Sequence, residues 1–140
     1  MNQEELKSKV MEIFEHNKIG TLATVKNKKP HSRYMTFYNE GLVLRTPTSI
    51  ETHKADEIDD NPFVHILLGY DGEGYGDRYV EIEGTAVIRD SEKMKHEFWQ
   101  EQFSNWFKGP DDPNYVVLEI EPTSVRLMNA GEEPKTLEVN

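Results

Sequence analysis

Two basic side chains stand where their neighbours are apolar. In HSRYMTF, a period of two puts His31, Arg33, Met35 and Phe37 on one face of an extended segment, and Ser32, Tyr34, Thr36 and Tyr38 on the other. Arg33 thus shares a face with Met35 and Phe37, and a guanidinium there must find an anionic partner or a route to water. Lys54 falls between Ile50 and Ile58 on the apolar stripe of a helix. It either snorkels past its neighbours or is aimed inward at an anion such as phosphate.

Other residues that invite a chemical reading carry less. His65 lies inside the apolar run FVHILLGY and reads as a satisfied core histidine, not a ligand. The stretch DGEGYGD at 71–77 fits neither the EF-hand spacing nor a glycine-rich phosphate motif, and reads as a hairpin connection. Asp111 and Asp112 stand between prolines with no histidine nearby in sequence, so they read as turn residues and no metal site is expected. Lys26, Lys28 and Lys29 form a small basic cluster of the kind a hairpin tip leaves solvated. No Ser-His-Asp set or catalytic carboxylate pair stands out, and no catalytic residue is assigned.

Composition narrows the classes further. At 140 residues the chain is one domain, 1–140, long enough to bury a single core. A formal charge of −10 argues against a general nucleic-acid binder, which needs a basic surface to displace counterions. The absence of cysteine excludes disulfides, thiolate catalysis and iron–sulfur clusters. No apolar run is long enough to span a membrane and no charged-then-apolar leader stands at Met1–Lys9, so a cytoplasmic protein is expected.

Elements must position these residues. Asn2 and Glu5 make a capping-box pattern, and Leu6, Val10, Ile13 and Phe14 form the stripe of a helix within residues 1–17. Ile19–Phe37 reads as a β-hairpin broken at Lys26–Lys29. A third strand is expected over Leu42–Thr46, ended by Pro47, followed by a helix from about Thr48 to Asp60. The continuous apolar run Phe63–Tyr70 predicts a strand buried on both faces. Arg78–Arg89 predicts a long alternating strand with Gly84 at a bulge or close approach. Asp90 or Ser91 caps a helix reaching about Phe107, dense in aromatics, with Trp106 at its end. Tyr115–Glu121 and Ser124–Met128 predict two strands separated by Pro122, and residues 130–140 read as a loose tail. Six or seven strands with helices inserted between them point to a mainly β protein, a closed antiparallel barrel with peripheral helices, though the pattern alone gives only a small α+β domain.

Taken in order, IGTLATV, PHSRYMTF, LRTPTSIETHKADEIDDNP, VEIEGTAVIRD and WFKGPDDPNYVVLEIEP resemble the FMN-binding split-barrel proteins related to pyridoxamine 5'-phosphate oxidase, most of all the general stress protein 26 group. The resemblance covers nearly the whole chain. It implies a split barrel, a homodimer, and a flavin at the subunit interface. The implied cofactor is FMN; related split barrels use FAD, a deazaflavin or haem. Carried over residue by residue, Arg33 and the Ser/Thr–x–Lys element Thr52–His53–Lys54 would hold the flavin phosphate, two cations and a hydroxyl on one dianion. Met35, Thr36 and Phe37 would run along the isoalloxazine, and Thr46 and Trp106 complete the implied cofactor-binding set. The implied activity is flavin-dependent oxidoreduction of an unidentified substrate; the alternative is a redox-responsive flavin binder without turnover. Pyridoxamine 5'-phosphate is not the expected substrate, because the chain is short for that enzyme and Arg126 lacks the companion histidine pattern.

Overall fold

The computed structural model describes residues 1–51, 61–72, 77–129 and 133–139. The chain opens with α1 (Gln3–His16), whose N-cap Asn2 accepts the Glu5 N–H at 2.8 Å, the forward half of the expected capping box. Leu6, Val10 and Phe14 are buried along its inner stripe and Ile13 packs beside them. β1 (Ile19–Lys26) and β2 (Lys29–Thr36) form the expected hairpin, in register from Ile19 against Thr36 to Lys26 against Lys29. Asn27 and Lys28 take positive φ of 51° and 63°, the two-residue turn whose twist suits paired strands.

β3 (Tyr38–Glu40), β4 (Val43–Ser49), β5 (Phe63–Leu68), β6 (Tyr79–Arg89), β7 (Tyr115–Met128) and β8 (Lys135–Leu137) complete one antiparallel sheet. Its order is β2-β1-β5-β6-β7-β4-β3, with β8 beside the second half of β7. Alternation sends Leu22, Leu44, Ile66, Ile82, Leu118, Ile120 and Leu127 inward, where they meet the buried side chains of α1 in one core. The sheet curls until the end of β2 faces the second half of β4 across an open seam, the split barrel that the resemblance implies. Among the described residues no helix is long and apolar enough to cross a membrane.

Several expectations are corrected. β4 does not end at Pro47 but runs to Ser49, so no helix begins at Thr48; the rest of that expected helix, 52–60, lies outside the described residues, as does the centre of the 71–77 connection. β3 pairs with β4 only over Val43–Arg45, so Pro47 sits where one side of β4 has no described strand neighbour, a place where a missing donor is tolerated. β5 is buried on one face only: Phe63 and Leu67 point outward, 68% and 38% exposed. β7 is one strand, not two. The ladder slips between Glu83 and Gly84, β4 leaves β7 at Ile120 and β8 joins at Val125, so Pro122 lies in the gap between partners. Gly84 is the expected close approach; a Cβ there would stand 2.7 Å from the Glu121 carbonyl oxygen.

The helix after Ser91 stops early. α2 (Glu92–Phe98), capped by the Ser91 hydroxyl, gives way at Trp99 to a 3-10 turn over Glu101–Asn105. There Ser104 Oγ donates to the Glu101 carbonyl at 2.7 Å and Asn105 Nδ2 to that of Gln102 at 3.0 Å, local bonds that compete with a continuing helix. Within the expected loose tail, the described residues 133–139 are tied down: β8 pairs with β7, Leu137 is buried, and the Glu138 N–H donates to Gln3 Oε1 at 2.8 Å; 130–132 and 140 lie outside the described residues.

Candidate functional site

At the open seam lies a cleft of about 550 Å³, lined by Ile19, Tyr34, Met35 and Thr36, by Thr46 to Ser49, and by Trp106, Phe107, Asp112 and Asn114. Two strand edges without a described neighbour and one loop therefore build it. On β4 the buried face reads Leu44, Thr46, Thr48, so two hydroxyls continue a row that begins in the apolar core. The Thr46 hydroxyl is fully buried and has no hydrogen-bond partner among the described residues. A buried unpaired hydroxyl costs free energy, so a polar ligand atom that reached it would relieve that cost.

Of the expected cofactor set, Met35, Thr36, Thr46 and Trp106 come together around this cleft. Phe37 does not join them: its ring is buried in the core, and its N–H donates to the Lys18 carbonyl, closing the corner between β2 and β3. Arg33 keeps to the expected inward face, but its guanidinium leans toward the hairpin turn. Its Nη1 donates to Thr24 Oγ1 at 2.7 Å, to the His31 carbonyl at 3.1 Å and to the Leu22 carbonyl at 3.3 Å. Met35 and Thr36 lie toward the other end of the same strand, so Arg33 is not gathered into the cleft lining. Thr52 and Lys54 lie outside the described residues.

The third wall is the loop after the 3-10 turn, and local pattern did not mark it. Asp112 Oδ2 accepts the Lys108 N–H and Oδ1 the Asn114 N–H, each at 2.9 Å; these bonds hold its carboxyl below the usual range. Lys95 Nζ donates to the Asp112 carbonyl at 3.1 Å, and the Ile50 N–H to that of Asn114 at 2.9 Å, tying loop to α2 and to the end of β4. Asp111, read as a turn residue, meets His96 Nε2 at 2.7 Å, a partner distant in sequence. Behind the wall, Trp99, Phe103 and Phe107 pack on Tyr115 at centroid distances of 5.3, 6.3 and 5.3 Å, and burial pushes the Tyr115 hydroxyl up to about 12. His65 is satisfied as expected, though by Glu81 Oε1 at 2.8 Å on the outer face and not in the core. Thr48, Ser49, Tyr34 and Asn114 are lining residues missed by sequence reasoning. For Thr48 the signal was present, in the alternation Leu44–Thr46–Thr48 across Pro47.

The profile of the pyridoxamine 5'-phosphate oxidase family matches residues 6–129. General stress protein 26 of Bacillus subtilis strain 168 is 58% identical over 140 residues, covering 99% of this chain and all of that one. The crystal structure of General Stress Protein 26 from Bacillus anthracis Sterne is 36% identical, covers 96% of this chain and 98% of its own, and superposes with a TM-score of 0.83. A structure named F420 reductase is 25% identical with a TM-score of 0.63, covering 81% of this chain and 93% of its own. With the family profile spanning most of its length and relatives this similar in both sequence and fold, the chain belongs to the pyridoxamine 5'-phosphate oxidase family, in its general stress protein 26 group.

Proposed function

We propose that this chain binds FMN in the seam cleft and serves as a flavin-dependent oxidoreductase, a cytoplasmic homodimer whose substrate and electron donor are still to be found. The observation that carries the reading is Thr46, a buried hydroxyl without a described partner on the wall of a ligand-sized cleft. The lining suits a ring that is apolar on its faces and polar at its edges. Met35, Pro47, Trp106 and Phe107 offer apolar surface, while Thr46, Thr48, Ser49 and Asn114 offer donors and acceptors. Arg33, Thr52 and Lys54 are the phosphate-holding residues that the family resemblance supplies. A bound flavin would supply hydride or electron transfer, and the chain's own residues would orient the ring and keep water from it. The structural neighbour named F420 reductase supports a redox role for the fold.

The outer face of the sheet supports the dimer. Tyr34, Thr21 and Leu67 are register partners across β2, β1 and β5; Tyr34 is 78% exposed, and Phe63 lies further along β5 toward the hairpin tip, beside Val25 and Pro30. This face, which also carries the His65–Glu81 pair, turns into the cleft at Ile19 and Tyr34, so a second copy seated on it would wall the flavin in. The test is a visible absorption spectrum of the freshly purified protein, with mass spectrometry of whatever heat releases. A flavin spectrum with the mass of FMN is expected. A colourless protein that also ignores added FMN and FAD would refute the reading.

A further inference from the structure

We infer that Pro47 keeps the seam open: it withholds the N–H that would let β4 zip onto the end of β2 and close the cleft. What the open cleft holds rests on the flavin reading; the gate itself does not. Two backbone bonds fix which way the amides point. The Phe37 N–H reaches the Lys18 carbonyl in the same register that pairs Met35 with Gly20 and Arg33 with Leu22. Hydrogen-bonded pairs alternate along an antiparallel ladder, so the odd-numbered residues of β2 turn their amides to β1. Ser32, Tyr34 and Thr36 turn theirs away from it. Pro30 falls in this outward set too, where a residue without an N–H breaks no ladder bond. On β4, the Ile50 N–H meets the Asn114 carbonyl in the register that pairs Thr48 with Val116 and Thr46 with Leu118. Even-numbered residues of β4 therefore bond β7, and Arg45, Pro47 and Ser49 face the other side.

On that other side Arg45 is paired with Tyr38 of β3. Carried one pair further, the same register sets Thr36 opposite Pro47, and carried two pairs further it sets Tyr34 opposite Ser49. All four residues line the cleft, so the strands fork at the point where their ladder would continue. At the first rung of the fork Thr36 turns a carbonyl toward β4, and Pro47 has no N–H to meet it. Thr36, Tyr34 and Ser49 each carry an N–H; of the four, Pro47 alone does not. The missing donor thus stands at the rung from which closure would have to start, and the two strand edges are left to a ligand instead of to each other.

The chain has no cysteine, so Tyr34→Cys/Ser49→Cys introduces the only thiols. Opposed residues of a closed ladder come within disulfide reach, and those across an open cleft do not. Added to this pair, Pro47→Ala should raise the rate of intrachain disulfide formation under a fixed oxidant by about 2- to 12-fold, the effect of one ladder hydrogen bond. With Pro47→Ala alone, hydrogen exchange followed by NMR should find the new amide at position 47 protected; greater flexibility by itself would speed its exchange. The same variant should bind FMN more weakly by up to the same factor, because the open form that takes the ligand is less populated. A crosslinking rate unmoved by Pro47→Ala, or an unprotected amide at position 47, would overturn the inference. Neither of these readouts needs flavin. If both appear while FMN affinity is unchanged or absent, the gate stands and the flavin reading of this cleft falls.

Discussion

Replacing Thr46 by valine should stabilise the flavin-free protein and weaken its hold on FMN. The side chain is buried and its hydroxyl has no described partner, so the folded protein carries the desolvation of an unpaired polar group, about 1–3 kcal/mol. Valine has nearly the same shape and removes that cost, so unfolding in urea of the flavin-stripped variant should show a gain of about 1–2 kcal/mol. In the complex a flavin atom that met the hydroxyl would pair it and recover that cost, so the variant should lose about 1–2 kcal/mol of binding, which is about 5- to 30-fold in Kd. The two effects are linked. A ligand that satisfies the hydroxyl also recovers the penalty present in its absence, so the affinity lost on mutation should match or exceed the stability gained. Urea titration of the stripped proteins and quenching of FMN fluorescence on binding measure the two terms separately. A stabilised variant with unchanged Kd would leave the hydroxyl idle and detach the β4 wall from flavin binding. A destabilised variant would mean that Thr46 serves the fold.

Arg33→Ala and Lys54→Ala should each weaken FMN binding by about 1.5–3 kcal/mol, the worth of a hydrogen bond to a charged group, with the barrel still folded by circular dichroism; unchanged affinity in both would dismiss this phosphate site. Glu119 on β7 accepts Arg45 Nη2 at 2.9 Å and Arg89 Nε at 2.6 Å, bridging β4 and β6. Burial pushes its carboxyl up, but the bonds and charges of the two arginines outweigh that and hold it below the usual range near 4.5. Its folded pKa is thus depressed, so its contribution is fully present above the ordinary carboxylate range and lost as pH falls through the lower folded value. Glu119→Gln should cost about 2 kcal/mol at neutral pH, discounted for the exposure of Arg89, and the gap to the unmutated protein should close in acid; a gap that persists unchanged there would refute the ion-pair account. Phe63→Glu should give a monomer by sedimentation, with the core intact because that ring points out of it.

The parts of the fold that obey local rules were legible. Asn2 before an apolar stripe, strict alternation on either side of Lys26–Lys29, and a glycine inside a long strand each have one physical reading, and α1, the β1–β2 hairpin and the slip at Gly84 follow. Proline was the weak signal. Pro47 and Pro122 break a strand only where a neighbour needs the missing N–H, and which neighbour is present at that position is a matter of tertiary pairing. The same misreading hid Thr48 and Ser49 from the site, because a helix begun at Thr48 would not have continued the Leu44–Thr46 row. The face Arg33 occupies could be read from period two. The direction its guanidinium takes could not, since it depends on Thr24 across the hairpin. Asp112 and Asn114 reach the cleft only because Ile50, Lys95 and the aromatic packing on Tyr115 hold their loop there.

The cleft and the exposed outer face have a common origin. Among the described residues of one chain this sheet does not close, so β2 is left as an edge and β4 is half an edge. An exposed edge invites unwanted pairing. Toward the hairpin turn, β2 carries Lys29 and Pro30, and neighbouring Lys26 and Lys28 add charge, so the basic tip reads as edge protection. Toward the seam that protection stops, and Tyr34, Met35 and Ile19 take over. Two chains of charge −10 repel each other at long range, so the proposed self-association would have to be driven by apolar area. A side chain the size of Phe63 is worth about 1.5–3 kcal/mol when fully buried, while Leu67, only 38% exposed, has less to gain. The seam thus has two neighbouring demands, a ligand for the buried hydroxyl of Thr46 and cover for the apolar rim, and a flavin enclosed by a second copy would meet both at once.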